Sequence, residues 1–222
     1  MLDKLPILSI ETSQTYCGAC VFLDDDRFFE MSLNVKNIHA EKIFEVIDNV
    51  IKISGVNRTD FGAIAVSAGP GSFTGLRIGM SAAKGIAFGL SLPIIPVPSF
   101  EALAFQLSNQ LSEGTEFILA NKVNSEEVYF AKFKVRANSY IFAQDLRIVK
   151  STDYIDLANN CMIFGNAVFQ QESAKNILKI CNPNPEYVAK WAKYFGKEKL
   201  VQEFDLLEPN YLKEFIIKDK RT

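Results

Sequence analysis

The chain has 222 residues, of which 48% are hydrophobic and 23% are charged, and its formal net charge is -2. This length allows one or two domains with a sizeable core, and the composition is ordinary for a globular protein. The slight negative charge argues against strong nucleic-acid binding by the chain alone, although a basic partner could bring it to RNA. No apolar run reaches the roughly 18 residues that span a bilayer. The acidic start and short apolar stretch at 5–10 are unlike a secretory signal, so a cytoplasmic protein is expected.

The first half of the chain predicts three strands followed by alternating helices and strands. Hydrophobic alternation and buried apolar runs predict strands over residues 5–11, 16–23, 28–35, 62–68 and 92–97. Helical spacing of apolar residues predicts helices over 38–54, 74–90 and 100–111, with Asn37 and Ser99 as caps of the first and third. The order βββαβαβα is that of one half of an actin-like, sugar-kinase-like fold.

A polar break at 112–116 separates a second region, which has the pattern of a shorter and degraded second copy. Strands are expected over 117–120, 128–134, 141–149 and 161–165, and helices over 152–158, 167–178 and 185–195. The sequence therefore predicts an α/β protein with an actin-like (ASKHA, ribonuclease H-like) two-lobed fold of mixed sheets and flanking helices. Residues 1–111 would form the N-terminal lobe and residues 112–222 the shorter C-terminal lobe.

The cysteines and the single histidine offer little for metal or redox chemistry. Cys17 and Cys20 form a CxxC pair inside a predicted strand, where residues three apart point to opposite faces. Two packed thiols are therefore expected there, rather than a redox or metal pair. His39 is the only histidine, which rules out a histidine-rich metal centre, and no metal site is expected.

The stretch SAGPGSFTGLRIGMSAAKGIAFG, residues 67–89, resembles a phosphate loop because of its many glycines. A Walker A loop needs a lysine after its last glycine, and a dinucleotide fingerprint needs glycine where Thr74 stands, so both templates fail on spacing. A glycine-rich loop before a helix can still hold an anion on free backbone N–H groups. Weak phosphate-binding candidates are the loop residues and the residues of the first hairpin turn: Thr12, Ser13, Gly69, Gly71 and Ser72.

Small residues recur every four positions in the helical part of this stretch. Gly75, Gly79, Ala83 and Ala87 would form one continuous ridge, and each helix-interior glycine costs about 1 kcal/mol relative to alanine. This cost requires a compensating close contact. The ridge either packs on the sheet of its own domain or belongs to a helix shared with a second subunit, and composition does not separate the two.

Three segments together carry a resemblance to a known family. ILSIETS, HAEKIFEVIDNVI and AVSAGPGSFTGLRIGMSAAKGIAFGLSLPIIPVPSFEALA are similar to the TsaB (YeaZ) family of bacterial tRNA threonylcarbamoyladenosine biosynthesis proteins. The glycine stretch is highly specific to that family. The similarity is strong over residues 5–105 and weaker beyond, where EEVYFAKF and EPNYL also look like family features.

The resemblance implies a non-catalytic partner of TsaD, the enzyme that transfers a threonylcarbamoyl group to the adenosine beside the anticodon of tRNAs reading codons that begin with A. TsaD binds its metal through two histidines four apart on a helix. Here His39 is followed at that spacing by Ile43, so this chain should lack the metal and the transfer chemistry.

The resemblance also implies partners. TsaB binds TsaD through the two first-lobe helices, the ATPase TsaE joins that pair, and tRNA is reached through the complex. Without TsaD the same surface can form a homodimer. No cofactor is expected on the chain alone, and ATP or ADP at the partner interface stays open. The candidate interface residues are His39, Ile43, Ile47, Val50, Gly75, Leu76, Arg77, Gly79, Met80, Ala83, Lys84 and Ala87.

Two enzymatic alternatives remain at this point. An actin-like ATPase or sugar kinase would use the turn at Glu11 and the glycine loop, and a peptidase-like enzyme would have to use His39. One departure from the family concerns residues 121–123, where many relatives have an Asp-Ala-Arg sequence and this chain has Asn-Lys-Val. Nothing is carried over for that stretch. The charged tail at 213–222 is expected to be frayed.

Overall fold

The computed structural model describes residues 5–153, 161–167 and 177–212. None of the helices in these ranges combines the length and apolar character needed to cross a bilayer. The elements in chain order are β1 (Ile7–Glu11), β2 (Tyr16–Asp24), β3 (Arg27–Asn34), α1 (His39–Ser54), β4 (Ala63–Gly69), α2 (Phe73–Leu90), β5 (Ile94–Pro98), α3 (Ser99–Ser108), β6 (Glu116–Lys122), β7 (Glu127–Arg136), β8 (Ser139–Lys150), β9 (Met162–Gly165), β10 (Ile177–Leu178) and α4 (Pro185–Phe195).

The strands form two five-stranded sheets with the same topology. The first has the order β3-β2-β1-β4-β5, with antiparallel hairpins at one side and parallel strands at the other. The second has the order β8-β7-β6-β9-β10, again with two antiparallel pairs followed by two parallel ones. The second half of the chain therefore repeats the sheet of the first half, which agrees with the actin-like fold expected from the element order.

The first sheet is covered by helices on both faces. Alternate residues such as Leu8 and Ile10 pack with α1 and α2, whereas Ile7 and Phe22 pack with α4 on the other face. Burial on both sides explains why β1 and β4 read as continuous apolar runs.

The two cysteines of the CxxC pair lie on opposite faces of this sheet, as predicted. Cys17 belongs to the core beneath α1 and α2, and Cys20 belongs to the core beneath α4. Burial raises the pKa of the Cys17 thiol to about 11 and the pKa of Cys20 well above its ordinary value, so both remain neutral packed thiols.

Helix α3 joins the two sheets. Phe100, Leu103 and Leu107 pack with the second sheet, whereas Ala102 and Phe105 face α4 and the first sheet. A hydrogen-bonded chain reinforces this junction: the Tyr140 hydroxyl donates to Glu101 at 2.6 Å and accepts from the Trp191 indole N–H at 2.9 Å. The two halves of the molecule thus share one apolar layer.

Helix α4 follows residue 112 in the sequence but packs on the first sheet. Its N-terminal Pro185 carbonyl accepts a hydrogen bond from the Ser9 hydroxyl of β1 at 2.6 Å. Val188, Ala189 and Trp191 are buried against that sheet. The division of the chain into lobes at residue 111 stays a prediction.

Several local expectations differ from the structure. Asn37 does not cap α1, because it has φ +62° and Ile38 takes the cap position without a side-chain bond. Ser99 is the first residue of α3, and its hydroxyl accepts from the Gly69 N–H at 3.1 Å instead.

The helix expected over 167–178 is wrong at its end. Ile177–Leu178 is a strand whose backbone pairs in parallel with β9. The middle of that expected helix, most of the one at 152–158, and the tail at 213–222 lie outside the described residues.

Candidate functional site

The turn between β1 and β2 lies directly against the glycine-rich loop that begins α2. The Ser72 N–H donates to the Ser13 carbonyl at 2.6 Å, and the Thr12 hydroxyl donates to the Gly75 carbonyl at 2.8 Å. Within the loop, the Ser72 hydroxyl caps α2 by accepting from the Gly75 N–H at 3.3 Å. These hydrogen bonds therefore join the turn that follows β1 to the loop that follows β4.

The glycines of the loop are explained by atoms of the chain itself. A Cβ on Gly71 would overlap the Ser13 carbonyl oxygen, and one on Gly75 would overlap the Thr12 carbonyl oxygen. A Cβ on Gly79 would overlap the Thr12 hydroxyl oxygen in the same way. Gly69 has φ +105° and faces the carbonyl oxygen of Asn210, so a side chain is excluded there on two grounds. The loop is glycine-rich because neighbouring backbone comes close to it.

The four-residue ridge of α2 packs inside the chain. Gly75 and Gly79 lie on the β1–β2 turn, and Ala83 and Ala87 are fully buried in the core beneath α1 and α2. Of the two roles left open by the sequence, internal packing is the one that these contacts support.

This burial corrects the role of most candidate interface residues. Ile43, Ile47 and Val50 of α1 also lie in this core, as does Met80 of α2, and Leu76 of α2 is fully buried. The residues concerned, which fix α1 and α2 to the sheet rather than form a surface, are Ile43, Ile47, Val50, Gly75, Leu76, Gly79, Met80, Ala83 and Ala87. The partner contact itself stays a prediction.

The three polar interface candidates already have contacts within the chain. The His39 ring is buried, and its Nε2 lies 2.9 Å from the Tyr16 carbonyl oxygen. Arg77 is exposed and donates through Nε to the Tyr211 hydroxyl at 3.0 Å, while Lys84 donates to the Asp205 carbonyl at 2.8 Å. Both cations thus bind the C-terminal part of the chain along α2.

Glu11 at the end of β1 is a fully buried carboxyl group. Its Oε1 accepts from the Ser13 N–H at 2.6 Å and from the Ser13 hydroxyl at 2.5 Å, and its Oε2 accepts from the Ser67 hydroxyl. Burial is the main cause that raises the pKa of Glu11 to about 7, against the lowering effect of these bonds. The backbone donor of the turn is therefore bonded to a carboxyl group of the chain.

This network limits the access of an anion to the phosphate-binding candidates. Thr12 and Ser13 are fully buried with their hydroxyl groups bonded, and Gly69 and Gly71 are pressed against Asn210 and Ser13. Ser72 alone among the five is exposed. The turn and loop form a packed joint between β1, β4 and α2, and phosphate binding at this place stays a prediction.

Comparison with known proteins places this arrangement in a family. The family model described as TsaD, tRNA N6-adenosine threonylcarbamoyltransferase, matches residues 34–180. The tRNA threonylcarbamoyladenosine biosynthesis protein TsaB of Haemophilus influenzae is 29% identical over 96% of this chain and 95% of its own length. The TsaB protein of Escherichia coli is 29% identical over 67% of this chain and 64% of its own length.

The chain belongs to the TsaD family and is similar to TsaB proteins over nearly its whole length.

Solved structures agree on the fold. The structure of YeaZ from Pseudomonas aeruginosa has a TM-score of 0.74, with 20% identity, 93% of this chain and 99% of that chain covered. A second structure, titled as an uncharacterized protein with similarity to peptidase YeaZ from the same organism, also has a TM-score of 0.74, with 21% identity and coverage of 94% and 100%. The actin-like fold expected from the sequence is thereby confirmed.

The stretch at 121–123, where this chain departs from many TsaB relatives, has a packing role at Asn121. Its side chain is buried, donates to the Cys181 carbonyl at 2.7 Å and accepts from the Asn166 N–H at 3.1 Å. Asn166 in turn donates to Gln14 of the first hairpin turn at 3.1 Å. A chain of amides therefore links the first sheet to the second.

Two features of the site were missed by sequence reasoning. One is a second row of small residues on the outer face of α2, Ser81, Gly85 and Gly89, which the same four-residue spacing could have revealed. The other is Tyr211 against Phe73, at a ring-centroid distance of 5.0 Å, for which the only signal was the EPNYL motif.

Substituting glycine on the two faces of α2 should have opposite effects. Gly75→Ala forces a Cβ into the Thr12 carbonyl, and overpacking of this kind lowers the free energy of unfolding by about 1–3 kcal/mol. Gly85→Ala meets nothing within 4 Å, so it should raise the free energy of unfolding by up to about 1 kcal/mol through helix propensity. Urea denaturation of both variants measures this, and equal changes would contradict the packing described.

Glu11 should make stability depend on pH between about 4.5 and 7. Its pKa is higher in the folded state than the ordinary value of 4.5, so the folded state holds the proton more tightly and the stabilisation is complete below pH 4.5. The free energy of unfolding should fall as the pH rises through 7, by about 3 kcal/mol from this group.

Glu11→Gln keeps the shape without the titration. The difference in the free energy of unfolding between the wild-type protein and this variant, measured by denaturation from pH 4 to 8, should change across that window. Parallel curves would show that the buried carboxyl does not titrate as described.

Proposed function

We propose that this protein acts in threonylcarbamoyladenosine biosynthesis as a non-catalytic subunit that binds a TsaD-family threonylcarbamoyltransferase. The observation that carries the proposal is the likeness to a TsaB protein over nearly the whole length of both chains. The product would be threonylcarbamoyladenosine, the nucleoside in the name of that relative. It would lie beside the anticodon of the tRNA, as the family resemblance implies.

The absence of catalysis is supported by what occupies the turn and the loop. The hydroxyl groups of Thr12 and Ser13 are bonded within the chain, and the Glu11 carboxyl takes the backbone donor of the turn. The single histidine is buried, with its ring bonded to a backbone carbonyl. Neither the ATPase or kinase alternative nor the peptidase alternative has an observation in its favour.

The outer face of α1 and α2 is the surface that we assign to the TsaD-family partner. Three large aromatic residues stand out on it, with exposed fractions of 56% for Phe44, 37% for Phe73 and 81% for Phe88. Phe44 and Phe73 line a groove of about 470 Å³ between the two helices. Exposed aromatic residues beside a groove mark interaction surfaces more often than isolated apolar residues do.

The outer row of small residues permits close approach of another helix on this face. Nothing lies within 4 Å of a Cβ built on Gly85 or Gly89, so a partner backbone has room there. A pair of helices from a TsaD-family protein would complete a four-helix contact with α1 and α2. A second copy of this chain would use the same face to form a homodimer when that partner is missing.

Further partners follow from the same scheme. TsaE and tRNA would engage the assembled pair rather than this chain alone, and ATP or ADP would bind at the interface with the partner if it binds at all. The chain would hold no metal and work in the cytoplasm, where tRNA is modified.

The direct test is a reconstitution of threonylcarbamoyl transfer to tRNA. Transfer by the TsaD-family and TsaE-family proteins of the same organism is measured with and without this chain, using Glu11→Gln as a folded control that leaves the helical face intact. Transfer should depend on the chain and be unaffected by the control variant. Equal transfer without the chain would overturn the proposal.

Bulk at Gly85 should weaken partner binding without unfolding the chain. Gly85→Leu adds a side chain where the free chain is open, so it should lower the affinity for the TsaD-family protein on the order of tenfold, or about 1.4 kcal/mol. Gly85→Ala is the matched control with little added volume. Affinities are measured by calorimetry and melting temperatures by circular dichroism. Unchanged affinity of the leucine variant would move the interface elsewhere.

A further inference from the structure

The C-terminal strap, residues 204–212, returns along α2 after the chain has left α4. Phe204 and Leu207 pack against the core beneath α1 and α2, and the Asp205 carbonyl accepts from Lys84 at 2.8 Å. The Asn210 N–H donates to the Ala68 carbonyl at 2.7 Å. The strap is therefore anchored at several points before it reaches Tyr211.

Tyr211 holds the first turn of α2 from the side. Its hydroxyl accepts from Arg77 Nε at 3.0 Å, and its ring centroid lies 5.0 Å from that of Phe73. The Arg77 guanidinium lies 3.9 Å from the Phe73 ring centroid and 5.8 Å from the Tyr211 ring centroid. The Tyr211 carbonyl in turn accepts from the Tyr129 hydroxyl of β7 at 3.0 Å. Arg77 thus lies over the Phe73 ring and is hydrogen-bonded to Tyr211, which is itself bonded to the second sheet.

These contacts lie at the edge of the groove between α1 and α2. Phe73 and Arg77 line that groove together with Phe44, whereas Tyr211 stands on the other side of Arg77 with Leu207 and Pro209. Arg77 therefore separates the strap from the groove. A change at Tyr211 reaches the groove through Phe73 and Arg77 without a residue of the strap lining it.

We propose that Tyr211 is a positioning residue for the partner-binding face. It orders Arg77 over Phe73, so that the guanidinium offers its terminal N–H groups to a carboxylate on an incoming helix whose apolar residues fill the groove. This inference rests on the proposed function, because it concerns the face assigned there to the TsaD-family partner.

The physical reason is the conformational freedom of arginine. An exposed arginine loses rotamer freedom when it binds, and a side chain ordered beforehand avoids that loss. Stacking on the Phe73 ring and the hydrogen bond from Nε to Tyr211 fix the guanidinium plane, so its terminal nitrogens point toward a bidentate carboxylate contact.

The test measures the affinity of the full chain for the TsaD-family protein by calorimetry. Tyr211→Ala should weaken binding five- to tenfold, while Tyr211→Phe, which keeps the ring contact with Phe73 but loses the hydrogen bond to Arg77, should recover only part of the loss. Melting temperatures should change little, because Phe204, Leu207 and Asn210 still anchor the strap. A merely structural role would lower stability without separating the two variants in affinity.

A double-substitution cycle with Arg77→Ala completes the test. If Tyr211 acts through Arg77, the double variant should bind no more weakly than Arg77→Ala alone. Wild-type affinity of Tyr211→Ala, or additive losses in the double variant, would overturn the inference. Gly85→Leu separates this inference from the proposed function. If Gly85→Leu binds more weakly and Tyr211→Ala binds normally, the inference alone is rejected. If the wild-type chain does not bind the TsaD-family protein, both are rejected.

Discussion

The close packing of the β1–β2 turn against the start of α2 is the constraint on which the other features of this molecule depend. Thr12 and Ser13 occupy the space that side chains at Gly71, Gly75 and Gly79 would need. This contact sets the depth of α2 on the sheet, and with it which residues of α1 and α2 are buried and which face outward. The glycine-rich stretch, which looks like a ligand loop, serves this internal contact.

The same turn carries the phosphate-binding candidates Thr12 and Ser13, and the chain already uses their hydrogen-bond donors. In actin-like ATPases the equivalent turn touches nucleotide phosphates. Here the Glu11 carboxyl group accepts the backbone N–H of Ser13 and the hydroxyls of Ser13 and Ser67, so the donors that an anion would use are already bonded. A carboxyl group that is half-neutral near pH 7 also avoids the full desolvation cost of a buried charge.

The architecture could be predicted from the sequence because the spacing of apolar residues in a helix or strand shows which of its faces is buried. Strand alternation, helical spacing and the order of elements led to two mixed sheets with flanking helices. Two helix caps were misassigned, because Asn37 has a left-handed backbone conformation and the Ser99 hydroxyl accepts from the Gly69 N–H instead. The packing of α4 on the first sheet was not predictable, since its apolar face shows that it is buried without showing which sheet covers it.

The candidate site was harder to predict than the fold, for a reason that α2 illustrates. A row of small residues shows that something comes close, but the missing Cβ is the same whether the neighbour belongs to the same chain or to another one. The row at Gly75 and Gly79 packs on the chain itself, whereas the row at Gly85 and Gly89 is open. Separating them required knowing which face of α2 meets the sheet, and that depends on residues as distant in sequence as Thr12.

The position of α4 has a consequence for how the molecule is made. Ile7, Phe22 and Ile95 of the first sheet are covered by a helix that lies about ninety residues later in the chain than β5. During synthesis the first sheet therefore keeps one apolar face open until the ribosome has released α4. A fragment ending before Pro185 would retain that open apolar face, which exposes it to association with other chains.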